Sequence, residues 1–130
     1  MIIADTDVLI DALRGRGEAA QRVAQELKSG NLATTSVTAF ELVSGARSQT
    51  SRDAVEHLLD AVTVFGLEQR AAVAAANLRR ELERRGAPIG MADYLIGGIC
   101  LVHSSVLLTL NRAHFERVSG LRLASLDGPP

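Results

Sequence analysis

Met1-Ile2-Ile3-Ala4-Asp5-Thr6-Asp7-Val8-Leu9-Ile10 opens the chain with an unbroken apolar run that stops at a carboxylate. A strand buried on one face alternates apolar and polar residues. A continuous run of this length, closed by a polar residue, is the pattern of a strand covered on both faces, as in a parallel sheet. Similar short runs recur at 32–35, 62–65 and 106–110, and 121–124 offers a short edge strand. Helical segments fill the intervals, at 8–14, 18–29, 37–46, 68–85 and 91–103, with a further one after the cap candidates Thr50 and Ser51. Gly15-Arg16-Gly17, Gly30, Gly66 and Gly86-Ala87-Pro88 supply the stops between them. Ser36 is the expected N-cap of the 37–46 helix. In the 18–29 helix the expected apolar face is Ala20, Val23, Ala24 and Leu27; in the helix after Ser51 it is Ala54, Leu58 and Ala61. Strands alternating with helices imply an α/β fold, a parallel sheet of four to five strands with helices on both faces.

The chain of 130 residues suits one domain, expected over 1–125 with a flexible tail at 126–130. Hydrophobic residues make up 47% and aromatic residues only 3%, so Leu, Val, Ile and Ala must fill the core. A net charge of −1 gives no global field to attract nucleic acid, so any such binding needs a local basic patch. Of the 14 basic residues only Lys28 is a lysine. A single cysteine, Cys100 in Ile99-Cys100-Leu101, excludes an intrachain disulfide and reads as a buried thiol. The first residues carry Asp5 and no basic segment, unlike a signal peptide, and the apolar stretch 95–110 is broken by His103-Ser104-Ser105. A soluble, cytoplasmic protein without a membrane span is the expectation.

Three acidic residues stand out. Asp5 ends the first strand, Glu41 lies within Thr35-Ser36-Val37-Thr38-Ala39-Phe40-Glu41-Leu42, and Asp93 precedes Tyr94-Leu95-Ile96. Carboxylates in apolar surroundings are costly to desolvate unless something cationic meets them. If the fold gathers them, their mutual repulsion must also be relieved. A hard divalent cation such as Mg2+ does both, because it prefers oxygen ligands. In open parallel sheets the ligand crevice lies beyond the carboxyl ends of the strands. Asp5 occupies such an end and Asn111 follows another. Asp7, two residues from Asp5, could join the site but reads better as the cap of the helix that starts at Val8. Gly97-Gly98 and the Ala-rich stretch 71–76 point to close helix packing. His57 and His103 have no partner at zinc-ligand spacing. Arg14, Arg16, Arg47 and Arg112 flank the expected crevice and are candidates for phosphate contacts. Arg79, Arg80, Arg84 and Arg85 alternate with Glu81 and Glu83, which suggests a solvated, salt-bridged face.

Asp5-Thr6-Asp7-Val8-Leu9-Ile10, Ser36 through Leu42, Ala92-Asp93-Tyr94-Leu95-Ile96 and Leu108-Thr109-Leu110-Asn111-Arg112-Ala113-His114-Phe115 together resemble the PIN-domain nucleases, most closely the VapC-type toxins of toxin–antitoxin modules. The resemblance spans nearly the whole chain. It implies a three-layer α/β/α sandwich, an endoribonuclease activity dependent on Mg2+ or Mn2+, and a cognate antitoxin. A homodimer, a toxin–antitoxin hetero-oligomer and an RNA substrate of the tRNA or rRNA class are also implied. On this resemblance Asp5, Glu41 and Asp93 match the acidic metal-site positions, with Asn111 joining the catalytic set and Thr6 and Thr109 beside it. Many relatives carry a fourth acid after the fourth strand, where this chain has Asn111 and His114. The alternative is therefore a degenerate PIN domain that only binds RNA or a partner. Asp5-Thr6-Asp7 also fits the nucleophile motif of haloacid-dehalogenase-like phosphatases, and an Asp at a strand end suits a phospho-receiver domain. Both need a late lysine, and none follows Lys28.

Overall fold

A computed structural model of the chain describes residues 1–127. Its five strands are β1 (Ile2–Ala4), β2 (Leu32–Thr35), β3 (Thr63–Phe65), β4 (Val106–Leu108) and β5 (Arg122–Ala124). They form one sheet in the order β3-β2-β1-β4-β5, with every neighbouring pair parallel. The helices are α1 (Thr6–Leu13), α2 (Gly17–Lys28), α3 (Ser36–Gly45), α4 (Gln49–Ala61), α5 (Gln69–Arg84), α6 (Met91–Val102) and α7 (Arg112–Phe115).

Side-chain alternation along the central strands divides the core into two. Ile2, Ala4, Leu32 and Leu108 join Val8, Leu9, Val23, Leu42, Val55 and Leu58 on one face. Ile3, Ala33 and Leu107 join Leu78, Leu82, Tyr94, Ile96, Cys100 and Phe115 on the other. Successive strand residues point to opposite faces, so a strand such as Ile2–Ala4 must be apolar throughout when both faces carry helices. The expected three-layer α/β/α arrangement follows. From β1 the chain moves outward through β2 and β3, then returns to the other side of β1 for β4 and β5. The strand order therefore reverses between β1 and β4, the place where sheets of this kind leave a crevice at their carboxyl edge.

Several local expectations are corrected. Helix α1 starts immediately after the strand, so its N-cap is Asp5, and Asp7 lies in the first turn. Thr35, not Ser36, caps α3, its hydroxyl accepting from Thr38 N at 3.1 Å. Ser48, not Thr50 or Ser51, caps α4 by accepting from Ser51 N at 3.1 Å. On α2 the buried face is Ala19, Arg22, Val23 and Glu26, while Ala24 is exposed. The face turns because Arg22 and Glu26 are buried as an ion pair at 3.1 Å, with Asn31 Nδ2 donating to Glu26 Oε2 at 3.0 Å. On α4 the buried residues are Val55 and Leu58, with Ala54 and Ala61 exposed. The fourth strand ends at Leu108, and a short helix, α7, follows where none was expected.

Helices α5 and α6 pack at close range, as Gly97-Gly98 suggested. A methyl group at Gly98 would stand 2.6 Å from the Ala71 carbonyl oxygen and 2.8 Å from Ala75 Cβ. Ile96 and Cys100 of α6 pack in the same core as Ile3 and Leu107 of the sheet, and Asp93 lies in the first turn of α6. Cys100 is fully buried and free, and burial pushes its thiol up to about 12. Leu126 packs onto the first core, while positions 128–130 of the expected tail lie outside the described residues. Among the described residues no helix is long and apolar enough to cross a membrane.

Candidate active site

The site grows from the junction of β1 and α1. Asp5 is at once the last extended residue and the helix cap, so its side chain is held at the sheet's edge with 5% exposure. Its Oδ1 accepts from Thr6 N at 2.7 Å and its Oδ2 from the Thr109 hydroxyl at 2.7 Å. Thr109 lies just beyond β4, whose Leu108 carbonyl accepts from Asp5 N at 2.9 Å. The strand pairing that orders the sheet thus sets the partner of the carboxylate. Burial raises the Asp5 carboxyl to about 6; the Thr109 hydroxyl and the Thr6 amide oppose the rise, and Asp7 and Asp93 add to it.

Thr6 carries the second link. Its hydroxyl donates to Glu41 Oε1 at 2.6 Å and lies 3.0 Å from the Thr38 hydroxyl. Thr38 and Glu41 are three residues apart on α3, so they share a face. Asp7 is half-buried, and its Oδ1 accepts from Val8 N at 2.7 Å and from Leu110 N at 3.4 Å. Burial raises its carboxyl too, against the Leu110 and Val8 amides and with help from Asp93 and Asp11. Asp7 is therefore not the helix cap but an acid facing the segment after β4.

The third cluster joins α6 to α7. Asp93 Oδ2 lies 2.8 Å from His114 Nδ1 and 3.4 Å from Asn111 Nδ2. Asn111 Nδ2 is also 2.8 Å from His114 Nδ1. That ring nitrogen cannot serve both neighbours in one state. It must bear a proton to donate to Asp93 and must lack one to accept from Asn111. Asn111 N donates to the Thr109 hydroxyl at 3.0 Å, which ties this cluster to Asp5. The expected residues Asp5, Glu41, Asp93 and Asn111 are thereby joined through Thr6 and Thr109 in one hydrogen-bonded chain. Among the described residues no group of three or more His, Cys, Asp or Glu side chains closes into a cage around a common point.

The donor set suits a hard cation. It consists of carboxylate oxygens, with the charge of Asp93 raising the proton affinity of Asp5 and Asp7, and among the described residues no Lys or Arg pairs with Asp5, Asp7, Glu41 or Asp93. Only His114 brings a cation to the group, and only when protonated. Of the expected phosphate contacts, Arg14 shares with Glu41 the lining of a cleft of about 290 Å³ between α1, α3 and α4. Arg112 is turned aside, donating to the Ala124 carbonyl at 2.9 Å and pairing with Glu116 at 3.7 Å. Arg16 and Arg47 are exposed.

The family model for the PIN domain matches residues 2–121. The chain belongs to the PIN-domain family. Among similar proteins, ribonuclease VapC10 of Mycobacterium tuberculosis is 35% identical, the match covering 94% of this chain and 91% of that one. The tRNA(fMet)-specific endonuclease VapC of Shigella flexneri is 30% identical over 91% of this PIN domain and 92% of the relative. The solved VapBC-1 from nontypeable Haemophilus influenzae superimposes with a TM-score of 0.84 at 25% identity, covering 98% of this chain and 100% of that one. PIN-domain ribonucleases are in general metal-dependent, in keeping with the oxygen-rich donor set.

Sequence reasoning does not single out Thr38, which looks like an ordinary helix residue; only its three-residue offset from Glu41 could signal a shared face. Asp7 is considered for the cluster but read in preference as a cap, because the helix is started at Val8, two residues too late.

Proposed function

We propose that the protein is the toxin of a toxin–antitoxin module, a Mg2+-dependent endoribonuclease of the cytoplasm that hydrolyses RNA phosphodiester bonds, with Mn2+ able to substitute. The observation that carries this is the buried Asp5 carboxylate, raised to about 6 beside Asp7 and Asp93 with no basic side chain of the described chain paired to it. Asp5, Glu41 and Asp93 would hold the cation. Bound there, it would polarise the attacking water and offset the charge that develops on the phosphate.

The chain's own residues do the rest. Thr6 and Thr109 donate to Glu41 and Asp5 and so fix which carboxylate oxygens face the crevice. Glu41, half-buried and bound through one oxygen, keeps the other for a ligand or for the proton of the attacking water. Asn111 orients Asp93, and His114 on the same carboxylate can deliver a proton to a leaving oxygen. The VapC relatives suggest a structured RNA, with a tRNA as the first substrate to try. The VapBC likeness suggests a cognate antitoxin, and a homodimer completes the proposed assembly.

The test is cleavage of total cellular RNA and of purified tRNA by antitoxin-free protein with Mg2+ or Mn2+, beside EDTA and Asp5→Asn. Discrete products that need both the metal and Asp5 are expected. A folded protein that binds these RNAs without cutting them would replace the enzyme by a binding module in which His114 has taken the place of the fourth acid.

A further inference from the structure

A cluster of acids repels the polyanion it is supposed to cut, and a net charge of −1 offers no general attraction. A cationic flank must lie close to the acids for RNA to dwell there. Of the arginines on the α5, α6 and α7 side, several are answered by carboxylates: Arg79 by Glu83 at 3.5 Å, Arg84 by Glu81, and Arg112 by Glu116 at 3.7 Å. Arg85 and Arg117 are not. Among the described residues each is held by a backbone carbonyl rather than an acid: Arg117 Nη1 donates to Pro88 O at 2.9 Å, and Arg85 Nη1 donates to Arg117 O at 3.3 Å.

Their position adjoins the site. Arg85 is the C-cap of α5, and the short connection after it, held by Arg117 at Pro88, leads into the first turn of α6, where Asp93 lies. Arg117 follows α7 by one tight turn, its amide donating to the His114 carbonyl at 3.2 Å, while His114 touches Asp93. The two arginines line one cleft with Asn77, Glu81 and Ser119, beside the loop that leads to Asp93. Each guanidinium has five donors and spends one on a carbonyl, leaving the rest for an anion. The planar fork of an arginine matches a phosphate. On the opposite flank, beside Glu41, stands Arg14.

We infer that Arg85 and Arg117 form a phosphate-binding ridge that grips the RNA backbone next to the scissile bond. This rests on the ribonuclease reading above and names positioning residues for it. The two side chains also brace the loop, so the test must separate charge from bracing. The probe is a labelled single-stranded RNA oligonucleotide of mixed sequence, titrated in EDTA at several salt concentrations, with thermal unfolding to confirm the fold. Each lost phosphate contact reduces the slope of log K against log salt by about 0.7. Arg85→Gln is expected to lower the slope by about 0.7 and the double Gln variant by about 1.4, with binding weakened several-fold at low salt. The double Lys variant, which keeps the charges but not the fork, is expected to restore most of the slope. An unchanged slope in the double Gln variant, or a folded double Lys variant that restores none of it, overturns the ridge. If the wild type cleaves RNA in Mg2+ while these slopes do not move, only this inference falls. If it neither binds nor cleaves, the ribonuclease reading falls as well.

Discussion

Replacing Asp5 by Asn is expected to stabilise the fold at neutral pH while abolishing cleavage. Burial carries this carboxyl from an ordinary 3.8 to about 6. At about 1.4 kcal/mol per pH unit, the ionised folded state bears a penalty of about 3 kcal/mol. The sign follows from proton linkage. Below about pH 4 both folded and unfolded chains hold the proton, and Asp5 costs nothing. Between about 4 and 6 the unfolded chain releases it first, so wild-type stability falls as pH rises. Above 6 the whole penalty is present. Asn caps a helix as well as Asp does, keeps an acceptor for Thr6 N, and turns an amide donor toward Thr109. The advantage of Asp5→Asn should therefore be near zero at pH 4 and about 3 kcal/mol at pH 7.5, or about 10 °C in Tm for a chain of this size. Thermal unfolding of both proteins across pH 4 to 8 measures it. Adding Mg2+ or Mn2+ at pH 7.5 should raise the wild-type Tm and narrow the gap, with little effect on the variant. A gap that is constant across pH, or a variant that melts below the wild type at pH 7.5, refutes the reasoning.

Packing gives two further tests. Gly98→Ala should cost about 1–3 kcal/mol, because its methyl would meet the Ala71 carbonyl oxygen at 2.6 Å and backbone cannot yield; Gly97→Ala meets only the flexible end of Leu78 at 3.0 Å and should be neutral or slightly stabilising in a urea titration. Glu26→Ala should cost about 3–5 kcal/mol, since it leaves the Arg22 guanidinium buried without its carboxylate and removes the acceptor of Asn31; an unchanged urea midpoint would show that the pair is not buried as described.

The layered fold was legible because its signals are local. Runs such as Ile2-Ile3-Ala4 say that both faces are covered, and glycine stops separate the elements. Sheet order was not legible, since nothing within the 106–108 segment says that it returns to the far side of β1. The three acids could be named one by one, but their connections could not. The Asp5–Thr109 bond spans 104 residues of sequence and exists only because β1 pairs with β4. The caps of α1 and α3 were placed one to two residues late because β1 and β2 run straight into those helices, leaving no loop to mark the change; the cap of α4, between two helices, was placed late because Ser48, Thr50 and Ser51 all offer a hydroxyl. The buried face of α2 was misread for a different reason. A charged pair four residues apart ordinarily signals solvent, and here Arg22 and Glu26 satisfy each other inside the protein. Helix α7 is too short to show a period at all.

The partners chosen for the acids carry the functional argument. A protein that only needed to bury carboxylates stably would set arginine or lysine against them. Here the partners of Asp5, Asp7 and Glu41 are hydroxyls and backbone amides. Such donors fix a carboxylate's orientation without neutralising it, so the negative charge stays available and Asp5 remains close to titrating. That arrangement destabilises the empty fold and favours whatever cation binds. The exception is Asp93, where His114 can bring a positive charge of its own. With a proton on Nδ1, His114 donates to Asp93; without one there, it accepts from Asn111 and leaves the carboxylate open to a cation. Placing a histidine near the position of the family's fourth acid therefore exchanges a permanent negative charge for a group that can be neutral or positive, while the anionic ligands about Asp5 are kept.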